Sequence, residues 1–173
     1  MRSVRTLAAV ALTLFAASNV AVLAAEPKKG GILKVYHRDS PASASIHEEA
    51  TYSVNIPFMG VFNNLVMYKQ DVAQNSLESI VPDLAESWAW SGDRKTLSFK
   101  LRQGVKWHDG KPFTSKDVKF THELITNPKF GAFSKVGHDQ VASVETPDES
   151  TVRIRLKEPF APFMTAWGDT YII

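Results

Sequence analysis

The sequence predicts a mixed α/β protein, and three observations carry that prediction. Leu97, Phe99 and Leu101 alternate with Ser98 and Lys100, the period-two mark of a strand buried on one face. Thr114-Ser115-Lys116-Asp117 places a hydroxyl three residues before an acid, the start signal of a capped helix whose core-facing side chains would be Val118, Phe120, Leu124 and Ile125. Val141 and Val144, then Val152, Ile154 and Leu156, give two further strands joined by a turn around Pro147-Asp148-Glu149.

From the start of the chain, residues 1–24 read as a secretory signal. Arg2 and Arg5 form the positive n-region and Leu7 to Phe15 an uncharged apolar h-region. Val22-Leu23-Ala24 is a small-residue site with cleavage after Ala24, or after Ala25 one residue on. A membrane anchor is the competing reading, because Leu7 to Ala25 is nearly long enough to span, but the run is Ala-rich and broken by Thr13, Ser18 and Asn19. With no cysteine after the cut, lipid anchoring is excluded, and a periplasmic or secreted protein, not membrane-integral, is expected.

Glu26 to Gly31 is a polar, breaker-rich leader, and Ile32, Leu33, Val35 and Tyr36 after it suit a buried first strand. Residues 38–49 are small and polar. Ile56, Phe58, Met59, Val61, Phe62, Leu65 and Val66 recur at three- and four-residue spacing, which predicts one helix with a broad buried face and Pro57 in its first turn. Ser91-Gly92-Asp93 turns the chain into the strand at 97–101. Val105 to Trp107 reads as a second short strand closed by His108-Asp109-Gly110, because glycine accepts the positive φ of a tight turn. The helix from Ser115 should stop at Thr126, since Pro128 pushes Asn127 out of the α region.

Composition narrows the function. The chain is 44% hydrophobic and 22% charged, as an ordinary globular protein is. Its formal charge of +2 comes from Arg2 and Arg5, and the residues after position 24 hold 18 basic and 18 acidic side chains. That balance gives no footing for nucleic acid, whose phosphates demand a concentrated excess of Lys and Arg. No G-x-S-x-G elbow, phosphate loop or dinucleotide fingerprint occurs, so no cofactor is expected.

The five histidines, at 37, 47, 108, 122 and 138, never share the one-, three- or four-residue spacing of ligands on one face. With no cysteine to join them they read as surface or turn residues, and no metal site is expected. His108 and Asp109 invite a reading as a base and its orienting carboxylate, but neighbours in a tight turn point apart, and no catalytic residue is assigned. Glu48-Glu49 and Glu145 with Asp148 read as solvated faces rather than acid/base pairs. Trp88, Trp90, Trp107 and Trp167 adjoin apolar runs and read as packing.

The run from Leu97 to Val118, through Gly104-Val105-Lys106-Trp107-His108-Asp109-Gly110 and Pro112-Phe113-Thr114, resembles the signature of the family 5 extracellular solute-binding proteins, the peptide and nickel group. Gly30-Gly31-Ile32-Leu33-Lys34-Val35 and Val81-Pro82-Asp83-Leu84-Ala85-Glu86-Ser87-Trp88 fit the same family upstream, and Val152 to Phe160 fits it downstream. Without the family, the signature reads as scaffold: a strand, a corner, a second strand, a turn and a capped helix.

The resemblance implies a periplasmic binding protein type II-like fold, in which two α/β lobes close on a solute and a small added α/β domain sits beside the first lobe. It divides the chain into the signal at 1–24, a leader and first strand of the first lobe at 25–41, the small domain at 42–165, and the start of a return to the first lobe at 166–173. The apolar end at Tyr171-Ile172-Ile173 reads as cut inside an element, with the second lobe absent. The implied function is the periplasmic substrate-binding component of an ABC importer, most naturally for peptides, which binds by lobe closure without covalent chemistry and delivers its solute to permease subunits. Most solute-clasping residues of the family lie beyond this chain. The loop His37-Arg38-Asp39-Ser40 is the one segment implied to reach the ligand, although commoner members carry small polar residues and proline there. Two other classes stay open: a secreted hydrolase built on His108 and Asp109, which His108→Ala would inactivate, and a non-transport envelope binding module, which would show no saturable small ligand.

Overall fold

In the computed structural model, which describes residues 29–37, 39–49, 51–168 and 170–173, the alternating run at 97–101 lies inside an antiparallel sheet. The elements in chain order are α1 (Tyr52–Phe58), β1 (Val66–Tyr68), β2 (Ile80–Pro82), β3 (Ala85–Trp90), β4 (Thr96–Leu101), α2 (Ser115–Thr126), β5 (Val141–Asp148), β6 (Thr151–Leu156) and α3 (Phe163–Gly168). One sheet has the order β3-β4-β6-β5, and β1 and β2 form a separate antiparallel ribbon.

Register makes the core. Leu97 lies opposite Ile154 and Phe99 opposite Val152, so the buried residues of β4 and β6 meet as cross-strand pairs. Leu101 and Leu156 extend the same apolar surface, and Val118 of α2 with Phe163, Met164 and Trp167 of α3 join it in one cluster. α2 packs against β5 and β6. Its first turn is closed by the Asp117 carboxylate, which accepts the Thr114 N–H at 2.6 Å and the Thr114 hydroxyl at 3.2 Å. It ends at Asn127, whose ψ of 124° is the extended backbone that a following proline imposes.

Residues Tyr36–Ile173 form one compact unit. The expected signal at 1–24 lies outside the described residues. Among the described residues no helix is long and apolar enough to cross a membrane.

Four expectations need correction. Ile32, Leu33, Val35 and Tyr36 form no strand and are 72–90% exposed, because no strand among the described residues pairs with them. The single helix expected from Ile56 to Val66 is instead a seven-residue α1 that ends at Phe58 and buries only Val54. Gly60 falls in the turn after it, and Leu65 and Val66 gain strand partners, the Leu65 carbonyl taking the Ala85 N–H at 2.9 Å and Val66 pairing with Pro82. Pro57 therefore sits in the last turn of α1, not its first. Val105 to Trp107 makes one isolated bridge, Lys106 to Pro112, not a strand. In α2, Phe120 is 54% exposed and Leu124 half-buried, while Ser115 and Thr121 lie in the interior beside Val118 and Ile125.

Candidate functional site

The loop implied to reach the ligand is pinned to the start of α1 through Ser53. Proline 57 has no N–H to offer the carbonyl four residues before it, which leaves the Ser53 oxygen without its helical partner. His37 fills the gap, with Nε2 3.2 Å from that oxygen. The Ser53 hydroxyl donates to Asp39 Oδ2 at 2.9 Å, and the Ser40 N–H donates to Asp39 Oδ1 at 2.9 Å. These two bonds, the hydroxyl first, hold the Asp39 carboxyl below the usual carboxylate range, with His37 adding slightly. Asp39 and Ser40 are exposed, and Arg38 lies outside the described residues.

His37, Asp39 and Ser40 do not line the cleft that holds His47. That cleft, of about 550 Å³, is lined by Ile46, His47, Asn55, Phe133, Pro162 and Thr165 among others. His47 is fixed across it, with Nε2 2.8 Å from the Tyr171 carbonyl, and burial lowers its pKa against the opposing pull of that carbonyl. Sequence reasoning missed this surface because its residues come from separate segments with no common spacing.

A second polar cluster corrects the reading of the histidines as surface or turn residues for His122 and His138, while His108 is exposed in its turn as expected. His138 is 4% exposed, and its Nδ1 lies 3.0 Å from Nδ1 of His122. Its Nε2 lies 3.2 Å from Thr170 Oγ1, and its ring is 4.8 Å from that of Trp167. Burial, then the neighbouring His122 and His47, push the His138 pKa down to about 3, and burial also lowers that of His122. Among the described residues no group of three or more His, Cys, Asp or Glu side chains could hold a metal ion.

The signature run is occupied by scaffold contacts. The Trp107 N–H donates to the Lys111 carbonyl at 2.8 Å and the Phe113 N–H to the Val105 carbonyl at 3.0 Å, closing the loop around the Asp-Gly turn. The rings of Trp107 and Phe113 meet edge to face at 5.9 Å. Asp109 takes the Lys111 ammonium at 2.8 Å and the Lys111 N–H at 3.0 Å, so its carboxylate is spent on the turn and not on His108. Upstream, Asp83 accepts from the Asn64 N–H and the Asn63 amide, both at 3.0 Å, and ties the approach to β1 to that of β3.

Comparison with known proteins agrees with this arrangement. A Brucella ovis protein, named provisionally as an ABC transporter peptide-binding protein, is 51% identical over 102 residues, which are 58% of this chain and 19% of the relative. The dipeptide-binding protein of Escherichia coli K12 is 32% identical over 121 residues, 60% of this chain and 22% of its own. The chain thus spans about a fifth of the length of the curated relatives it matches. Among solved structures, NikZ of Campylobacter jejuni in complex with Ni(L-His) is 34% identical with a TM-score of 0.58, covering 65% of this chain and 22% of NikZ. Haemophilus influenzae OppA, in complex with a peptide, has a TM-score of 0.67 at 22% identity over 78% of this chain and 29% of OppA, a likeness of fold alone. The mixed α/β architecture is therefore that of part of a periplasmic binding protein. Residues 79–172, more than half of the sequence, match the family described as bacterial extracellular solute-binding proteins, family 5 middle, and the chain belongs to that family.

Proposed function

We propose that this chain is part of the periplasmic substrate-binding component of an ABC importer for peptides, which captures its solute between closing lobes and hands it to membrane permease subunits. The observation that carries the reading is the family match over residues 79–172, reinforced by relatives named for peptide and dipeptide binding. On this reading residues 1–24 are the export signal, 25–41 the leader and first strand of the first lobe, 42–165 the small added domain, and 166–173 the return to the first lobe. The exposed apolar side chains of Ile32, Leu33, Val35 and Tyr36 support that division, since a lobe sheet supplied by a longer chain would cover them.

In this reading the loop His37-Arg38-Asp39-Ser40 contributes the chain's contact with solute. Its support is an exposed, ionised Asp39 whose carboxylate is held in place by Ser53, a suitable partner for a peptide's ammonium terminus. The test is calorimetric titration of a full-length protein containing these residues with di- and tripeptides, and with Ni(L-His) as the competing solute class. Saturable binding of peptides, weakened about tenfold or more in Asp39→Asn, supports the proposal. Binding of the nickel chelate alone, or peptide hydrolysis, overturns it.

A further inference from the structure

The histidine pair is a hydrogen-bond relay with one polarity. The ring centroids of His122 and His138 are 5.3 Å apart while their Nδ1 atoms are 3.0 Å apart, and the planes differ by 22°. The centroid separation exceeds the nitrogen separation by about two ring radii, the greatest difference that imidazole geometry allows. The rings therefore lie end to end and nearly coplanar, each Nδ1 aimed at the other. A divalent metal between in-line imidazole nitrogens would hold them about 4 Å apart, at roughly 2.0–2.1 Å to each. The gap fits one proton and no metal.

Which ring carries that proton follows from Thr170. Its hydroxyl has a single hydrogen, and the Ala166 carbonyl lies 3.2 Å from Oγ1 in donor geometry. With the hydrogen given to that carbonyl, Oγ1 must accept from His138 Nε2. His138 is then the Nε2–H tautomer, its Nδ1 accepts, and His122 donates from Nδ1–H. The opposite polarity would take the hydroxyl hydrogen away from the Ala166 carbonyl and make one bond fewer.

We infer that His122, His138 and Thr170 form an acid-sensitive latch that fastens residues 170–173 to α2 and to the turn at His138–Gln140. The latch has room for one added proton, at His122 Nε2, because Nδ1 is already protonated in the closed form. A proton on His138 would set two N–H groups head to head and break the relay. The surrounding groups bias but do not replace this geometry. Glu123 on α2 and Asp139 on the turn favour protonation, while His47 opposes it, and Lys135 and Lys157 border the same depression. The depressed His138 pKa of about 3 fixes the sign. Between the unfolded value near 6.5 and the folded value, the open chain binds protons that the closed latch refuses, so the latch holds above roughly pH 6.5 and weakens as pH falls.

The test uses the 173-residue chain labelled with ¹⁵N. Long-range ¹H–¹⁵N correlation at pH 7.5 should show His122 as the Nδ1–H tautomer and His138 as the Nε2–H tautomer. Either ring in the other tautomer, or a charged His138, overturns the relay. Hydrogen exchange at the Ile172 and Ile173 amides, corrected for intrinsic rate, should lose about tenfold or more of its protection between pH 7 and pH 4. His138→Gln offers an amide that accepts from His122 and donates to Thr170 without titrating, so its protection should vary far less. An unchanged pH response in that variant overturns the latch. Should the variant fail to fold, the tautomer assignment in the parent chain decides.

Discussion

Gly137 shows how narrowly a single position is specified beside the histidine relay. Its φ of 82° lies in the left-handed region, and a Cβ there would come within 2.6 Å of the Ala166 Cβ. Gly104 has a similar φ of 75° but open space around it. Both Gly→Ala changes should therefore destabilise through the backbone, by about 1–2 kcal/mol, and Gly137→Ala should add about 1–3 kcal/mol of overpacking. Urea titration of the two variants separates the contributions, and equal losses would place the Ala166 contact outside the folded state. None of this was legible beforehand. The glycine sits in an irregular stretch, and its conflict is with a residue on α3. His122 and His138 are likewise 16 positions apart with no motif between them, so their meeting depends on how α2 and the following loop pack. The part that was legible at this scale is chemical: Asp109-Gly110 as a turn, and Asp117 three residues after Thr114 as a cap.

Elements whose signal is short-range and complete in the sequence form at the expected positions, although α2 turns Phe120 outward. β4, β6 and α2 each carry a full period of their pattern plus a terminator, and their partners are other elements with equally clear patterns. Leu101 is 1% exposed at the end of β4, so Leu101→Ala should cost about 2–5 kcal/mol, whereas Phe120→Ala on the exposed face of α2 should stay within about 0.5 kcal/mol. Chemical denaturation of both variants checks the pair, and comparable losses would mean that α2 faces the sheet differently. The failures share a cause. Between Ile56 and Val66 the apolar residues are dense enough to satisfy a helical period, yet Gly60 interrupts the run and Leu65 and Val66 find strand partners more than a dozen residues on. At Ile32 to Tyr36 the pattern was that of a strand, but a strand is stable only against a neighbour. The candidate loop at 37–40 was located by resemblance, and what the sequence could not reveal was its anchor, the Ser53 carbonyl that Pro57 releases to His37.

Among the described residues the cleft at His47 is open rather than closed, since Phe133 and Val136 on its wall are 70% and 65% exposed. A solute is held tightly when convergent polar groups surround it and water is expelled. Taken alone, the 173-residue chain should thus show no saturable thermal stabilisation by di- or tripeptides. A full-length protein at about 100 times its dissociation constant should gain roughly 2.7 kcal/mol. Side-by-side melts make the comparison, and a micromolar, saturable shift in the short chain would move the binding site onto the residues described above. The bridge between Asn64 and Tyr171 has a consequence of a different kind. It joins residues roughly a hundred positions apart, against 51–59 for the partners of β4 and β6, so closing it carries more loop entropy than any strand pairing of the sheet. The sheet and α2 can therefore assemble while the segment at 170–173 is still free, and that segment docks last on the way in and is the first to leave on the way out.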